Sequence, residues 1–189
     1  MLKLFLIICL TLIMVLQAAA EKFPAQIEWR DLDGIAHQPL NPEKKSGTVL
    51  IFFWHDCPIS NSYAPEINRM AASYTNFSFY IVQVDPDLNA EAAKQHAKEF
   101  SLRAPVLLDP KHRLVKLAKA SITPEAVVFG KSDGVLYRGC IDNRFASLSK
   151  KRAEPTQRDL RDALDLIAGG KPVKIAETKA IGCAIQNEK

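Results

Sequence analysis

With 189 residues, 48% of them hydrophobic and 24% charged, the chain is long enough to fold as one globular domain whose core depends on neither disulfides nor a metal. The formal net charge of +4 is weakly basic, and basic residues are interleaved with acidic ones. The longest basic cluster, Lys150-Lys151-Arg152, is too short for a nucleic-acid track and reads as solvated surface, so nucleic acid is not an expected partner.

The N-terminus carries Lys3, an apolar run from Leu4 to Leu16, and then Gln17-Ala18-Ala19-Ala20. This pattern reads as a secretory signal over residues 1–20, cleaved after Ala20. The run falls short of the about 20 apolar residues that a membrane-spanning helix needs. A membrane becomes a partner only in the alternative case of an uncleaved anchor. Export to the periplasm or the extracellular space places the mature cysteines, Cys57, Cys140 and Cys183, where disulfides form and persist. Cys9 is lost with the signal.

Ile27 to Leu32, followed by Asp33-Gly34, predicts a strand and turn that open a small N-terminal hairpin. Thr48 to Trp54 is a nearly continuous apolar run, as in a strand buried on both faces. Tyr63, Ile67, Met70 and Tyr74 then recur at helical spacing, with Pro65 as a candidate kink. Phe77 to Val84 reads as a strand, and Asn89 to Phe100 as a helix packing through Ala92, Ala93, Ala97 and Phe100. Val106 to Leu108 is a short strand and Leu114 to Ala120 a short helix. Ala126 to Phe129 and Val135 to Cys140 form a hairpin turned by Ser132-Asp133-Gly134. Thr156 to Ile167 predicts an amphipathic helix with Thr156 and Asp159 as a capping-box variant, stopped by Gly169-Gly170 and Pro172. Strand–helix alternation ending in an antiparallel hairpin predicts an α/β fold, a mixed central sheet flanked by helices. The domain expectation is residues 1–20 signal, 21–150 main domain, and 151–189 a C-terminal helix and cysteine-containing tail.

Cys57 is delivered by the apolar strand to a helix start. Backbone N–H groups without intrahelical partners and the positive end of the macrodipole stabilise a thiolate there. Ser60 stands where many redox proteins carry a second cysteine, so any disulfide needs a more distant partner. The competing reading of Cys57 is a small buried hydrophobe. Cys140, near the end of the last hairpin strand, and Cys183, after Gly182 in the tail, are the candidate partners, and three cysteines allow three single bridges. Flanking His55 and Asp56 push the thiol pKa in opposite directions. Further ligands at metal-site spacing are lacking, and His112, in an Asp-Pro-Lys-His turn, reads as surface, so no metal or other cofactor is expected. Glu66 reads as a surface carboxylate, and Trp54 and Tyr63 as core residues that also shield the thiol.

The strand ending at Cys57, Ile122-Thr123-Pro124 ahead of the next strand, and the terminal hairpin together resemble the thioredoxin superfamily. Leu102 to Asp109 and Leu114 to Ala118 look like its exported redoxin branch, related to alkyl hydroperoxide reductase and thiol-specific antioxidant domains; the likeness covers about residues 25 to 145. A subgroup is similar in Cys57-Pro58-Ile59-Ser60-Asn61-Ser62-Tyr63-Ala64-Pro65-Glu66 and in the tail Thr178-Lys179-Ala180-Ile181-Gly182-Cys183-Ala184-Ile185. The resemblance implies a thioredoxin-like fold with Pro124 as a cis-proline facing Cys57. It also implies a docking groove for a thiol or disulfide substrate formed by Trp54, Ser60, Thr123 and Pro124, and it favours Cys183 over Cys140 as resolving cysteine. The implied activity is thiol–disulfide exchange with a protein or small-molecule substrate and an external reductant. Peroxiredoxins place a threonine or serine where Trp54 stands, which weakens but leaves open a peroxidase. A non-enzymatic binding or metal-carrier module is the remaining alternative.

Overall fold

The computed structural model describes residues 27–42, 44–131 and 134–186; the expected signal segment and the turn residues Ser132 and Asp133 lie outside them. Among the described residues no helix is long and apolar enough to cross a membrane.

The centre is a five-stranded mixed sheet in the order β5-β4-β3-β7-β8. These strands are β3 (Gly47–Phe53), β4 (Phe77–Gln83), β5 (Val106–Leu108), β7 (Glu125–Phe129) and β8 (Val135–Gly139). β3 runs parallel to β4 and β4 to β5, whereas β7 pairs antiparallel with both β3 and β8. All seven β3 residues are buried, as a strand covered on both faces must be. Its side chains alternate between two cores. Val49, Ile51 and Phe53 meet Ile59, Tyr63, Ile67 and Met70 of α1 (Pro58–Ser73) and Leu160, Ala163 and Leu164 of α4 (Asp159–Ala168). Leu50 and Phe52 meet Leu114, Val115 and Ala118 of α3 (Arg113–Ala118). A hairpin of β1 (Trp29–Arg30) and β2 (Ala36–His37) contributes Trp29 to this second core and touches β5 through an Asp31–Leu107 bridge.

Helix α1 runs through Pro65 without a break. On α2 (Ala90–Glu99) the buried residues are Ala93 and His96, whereas Ala92 is exposed: the helix lies on the sheet by a narrower stripe than its alanines implied. Helix α4 begins at Asp159 rather than Thr156. The Asn143 side chain accepts from the backbone N–H groups of Thr156 and Gln157 and donates to the Thr156 hydroxyl. With those groups satisfied from a loop 13 residues upstream, no capping box forms. At the other end, Gly170 at φ +65° closes the helix, its N–H bonding Ile167 and that of Lys171 bonding Leu166.

Glu66 and His112, expected at the surface, are buried, and so is His96. Glu66 is locked between Arg69 (2.9 Å) and Arg161 (2.8 Å), fastening α1 to α4. The guanidinium pair outweighs the effect of burial and holds its carboxyl below the usual range. His112 donates from Nε2 to the Val84 carbonyl (2.7 Å) beside Asp109, whose carboxylate caps α3 by accepting from the N–H groups of Arg113, Leu114 and Val115. His96 is bound by Gln83 and Asn61. A short surface ribbon of β9 (Phe145–Ser147) and β10 (Lys150–Lys151), not expected from the sequence, presents the basic cluster to solvent.

After α4 the chain returns across the domain as a tail. The Ala176 carbonyl and Thr178 N–H bond Arg138 on the edge strand β8. Gly139, at φ +151°, leaves no room for a Cβ beside Thr178. The tail ends in β11 (Cys183–Ala184), antiparallel to β6 (Ile122–Thr123). Ile175 does not help to anchor it, being 64% exposed; Ala180 is the buried residue there.

Candidate active site

At the carboxyl end of β3 the chain turns through His55 and Asp56, with the Cys57 N–H bonding the Trp54 carbonyl at 3.0 Å. Cys57 is the N-cap of α1 and Pro58 its first residue. Proline lacks the N–H that would be orphaned there, so this is a favourable start. No side chain caps the remaining N–H groups of the first turn, which leaves their partial positive charge to the Cys57 sulfur. That sulfur is fully buried, 3.4 Å from the Thr123 carbonyl, and the Thr123–Pro124 peptide bond is cis.

The Cys183 thiol lies against Cys57 closely enough to hydrogen-bond it. Backbone pairing fixes the approach: Cys183 is opposite Thr123 and Ala184 opposite Ile122, the Thr123 hydroxyl donates to the Cys183 carbonyl (3.3 Å), and Ile185 N–H bonds Ser121 (2.9 Å). Gly182 is required by contact, since a Cβ there would run into the Thr123 carbonyl. Burial raises the Cys57 pKa, but hydrogen bonding from the Cys183 and Ser60 side chains and from the Ser60 and Cys183 backbone outweighs it and brings the thiol below its ordinary value. The Ser60 hydroxyl, fully buried, has no nitrogen or oxygen partner among the described residues. Burial, then the hydrogen bond to and charge of Cys57, push Cys183 up to about 12. In this pair the first proton to leave comes from Cys57.

Cys140 is placed differently. Its thiol is 3.3 Å from Asp159 and 3.4 Å from the Thr178 hydroxyl, and burial with the Asp159 carboxylate pushes it up to about 11. Its partners are on α4 and the tail, and Cys140 follows β8, which β7 separates from β3 in the sheet.

Trp54 is half-buried and donates from Nε1 to Asp85 (3.3 Å). His55 is 3.3 Å from the carboxylates of both Asp56 and Asp85, so it engages these acids. Asn61, one turn into α1, joins the His55 carbonyl (2.8 Å) to the buried His96 ring (2.9 Å) and braces the Cys57 turn. Burial and the facing His55 lower the His96 pKa. Asn61 stands in the Cys57 motif with no role evident from sequence, and the one local signal for His96 is its place three positions after the buried Ala93. Tyr63 donates to Asp142 at 2.6 Å, fixing the far side of α1's first turns. A cleft of about 830 Å³ is lined among others by Trp54, Asp85, Pro86, Lys116, Ala184 and Ile185; of the four residues expected to form a docking groove only Trp54 lines it, and Ser60, Thr123 and Pro124 do not.

A family model described as the AhpC/TSA family matches residues 18–138. The chain belongs to the AhpC/TSA family. Among solved structures it is similar to a hypothetical protein of Sinorhizobium meliloti 1021, with a TM-score of 0.69 and 21% identity over 89% of this chain and 92% of that one. An uncharacterized conserved protein of Geobacillus kaustophilus is similar at a TM-score of 0.67 and 21% identity, over 90% and 94% of the two chains. A secreted Mycobacterium tuberculosis disulfide oxidoreductase, described as homologous to DsbE of E. coli, matches at 0.54 and 18% identity over 77% and 96%. These likenesses bear on the fold, which is thioredoxin-like. A search of curated proteins finds no significant match.

Proposed function

We propose that the protein is an exported thiol–disulfide oxidoreductase in which Cys57 attacks and Cys183 resolves. The observation that carries the reading is the pairing of an acidified, helix-capping thiol with a second thiol held against it by the β6–β11 ribbon.

The Cys57 thiolate attacks one sulfur of a partner disulfide. A Cys57–partner bond forms, the partner's S–S bond breaks, and the leaving sulfur departs as a thiolate that takes a proton from solvent. Cys183 owes part of its high pKa to the hydrogen bond and charge of Cys57. Once Cys57 is in a mixed disulfide that influence is gone, and Cys183 loses its proton more readily. It then attacks the Cys57 sulfur, expels the partner's second thiolate and leaves a Cys57–Cys183 disulfide. The partner gains two electrons, the pair loses two, and an external dithiol reductant restores it. Export is supported by the apolar N-terminal segment and by the secreted structural neighbour.

The test is single-turnover reduction of a model protein disulfide. Cys183→Ala accumulates a mixed disulfide on Cys57, and Cys57→Ala does not react. Turnover of Cys183→Ala at the native rate contradicts the assignment. Peroxide is the other oxidant to try, given the family; with the indole of Trp54 committed to Asp85, rapid conversion of Cys57 to a sulfenic acid is not expected.

A further inference from the structure

Cys57 has no exposed surface, and attack on an external disulfide needs a direct line to its sulfur. Part of what covers that sulfur is the tail itself, through Cys183 and its neighbours on β6. The contacts that hold β11 are few. They are a two-residue ribbon, one hydroxyl bond, one flanking backbone bond, the contact of Cys183 with Cys57, and the packing of the half-buried Cys183 and Ile185 against the two cores. Such an edge opens at low free-energy cost compared with the sheet interior. When it leaves, the Ser121 carbonyl and backbone groups of Thr123 lose their partners beside the uncovered thiolate. An added extended strand restores them in the manner of β-augmentation.

We propose that residues 181–185 are a resident strand on this protein's own partner-binding edge: an extended polypeptide carrying a cysteine reaches Cys57 by displacing β11 and pairing with Ile122–Thr123 in its place. The inference rests on the oxidoreductase reading above and names its substrate class. A partner strand in the register of β11 brings the residue before its cysteine against the Thr123 carbonyl, where Gly182 has no room for a Cβ. The edge therefore selects Gly-Cys over bulkier pairs. Return of the tail does two things together, since Cys183 attacks the Cys57–partner disulfide while β11 retakes the backbone groups the partner held. One S–S bond is exchanged for another, and the partner leaves as a thiolate that is then protonated.

The test uses the full chain carrying Cys183→Ser, which keeps the tail but lacks the resolving thiol. The probe is a short extended peptide whose cysteine is joined to thionitrobenzoate. Attack by Cys57 on the peptide sulfur releases coloured thionitrobenzoate and leaves a Cys57–peptide disulfide. Adding Gly182→Val forces β11 off Thr123, and the capture rate rises about tenfold or more as the open fraction grows. Ile185→Pro, which removes the N–H bonded to Ser121, gives a rise in the same direction and serves if the valine variant does not fold. Peptides with glycine before cysteine outpace those with valine by a similar factor. If Cys57 captures every peptide at one rate whatever the state of β11, the resident-strand proposal is overturned and the oxidoreductase reading stands. If Cys57 captures no disulfide in any variant, glutathione disulfide included, both fall.

Discussion

Oxidation of Cys57 and Cys183 should stabilise the fold, and the size of the effect follows from two opposing contributions. The bridge closes a loop of roughly 125 residues, which in the chain-entropy treatment removes about 5 kcal/mol of unfolded-state freedom. Native strain should subtract little, because β11 already holds the two sulfurs together. Against this, oxidation abolishes a thiolate stabilised by the Cys183 and Ser60 side chains and by backbone groups after the opposing burial effect is overcome. Burial offsets most of that stabilisation, so the net loss is about that of one hydrogen bond to a charged group, about 2–3 kcal/mol. The loop contribution is the larger, so the oxidised protein is predicted to be more stable by about 2–3 kcal/mol. By linkage the folded pair then has a lower reduction potential than the same dithiol in the unfolded chain, by about 40–65 mV. Equilibrium urea unfolding of oxidised and dithiothreitol-reduced protein measures this directly. A reduced form as stable as the oxidised form, or more so, would refute the reasoning.

Further predictions concern individual groups. Because the folded-state pKa of Cys57 is depressed, its thiolate contributes stability above the pKa of an unfolded cysteine, a contribution lost as pH falls through the folded value. Its alkylation by iodoacetamide should accordingly reach half-maximum at lower pH than free cysteine, and Cys183→Ala should move that midpoint upward; an unmoved midpoint counts against the thiol–thiol hydrogen bond. Cys140, pushed up to about 11 by burial, should resist alkylation at pH 8, and Cys140→Ser should leave exchange rates unchanged in the single-turnover assay. Arg161→Ala leaves buried Glu66 with Arg69 alone and should cost about 1.5–3 kcal/mol in urea unfolding, with Cys57 alkylation unaffected in the folded protein. A cost near zero would show that Arg69 suffices.

The strand that delivers Cys57 was readable because a parallel central strand must be apolar along its whole length, and Val49 to Phe53 is. The helix after it was equally plain, since Tyr63, Ile67 and Met70 mark one face. Short ribbons were not. β11 is two residues long and exists through Thr123, 60 positions away, a contact that no local period encodes. The start of α4 was misplaced for a related reason, because Asn143 competes from outside the helix for the amides a cap would use. Glu66, His96 and His112 were hidden by their polarity. Each is buried only because distant partners, Arg161, Asn61 and the Val84 carbonyl, satisfy it.

The central claim is that Cys57 and Cys183 form one redox pair. Mass-spectrometric disulfide mapping of the mature protein, oxidised under mild conditions and compared with a reduced sample, tests it most directly. The account predicts a single Cys57–Cys183 bridge with Cys140 left as a thiol. A Cys57–Cys140 bridge, or oxidation that leaves Cys57 and Cys183 unlinked, would contradict it.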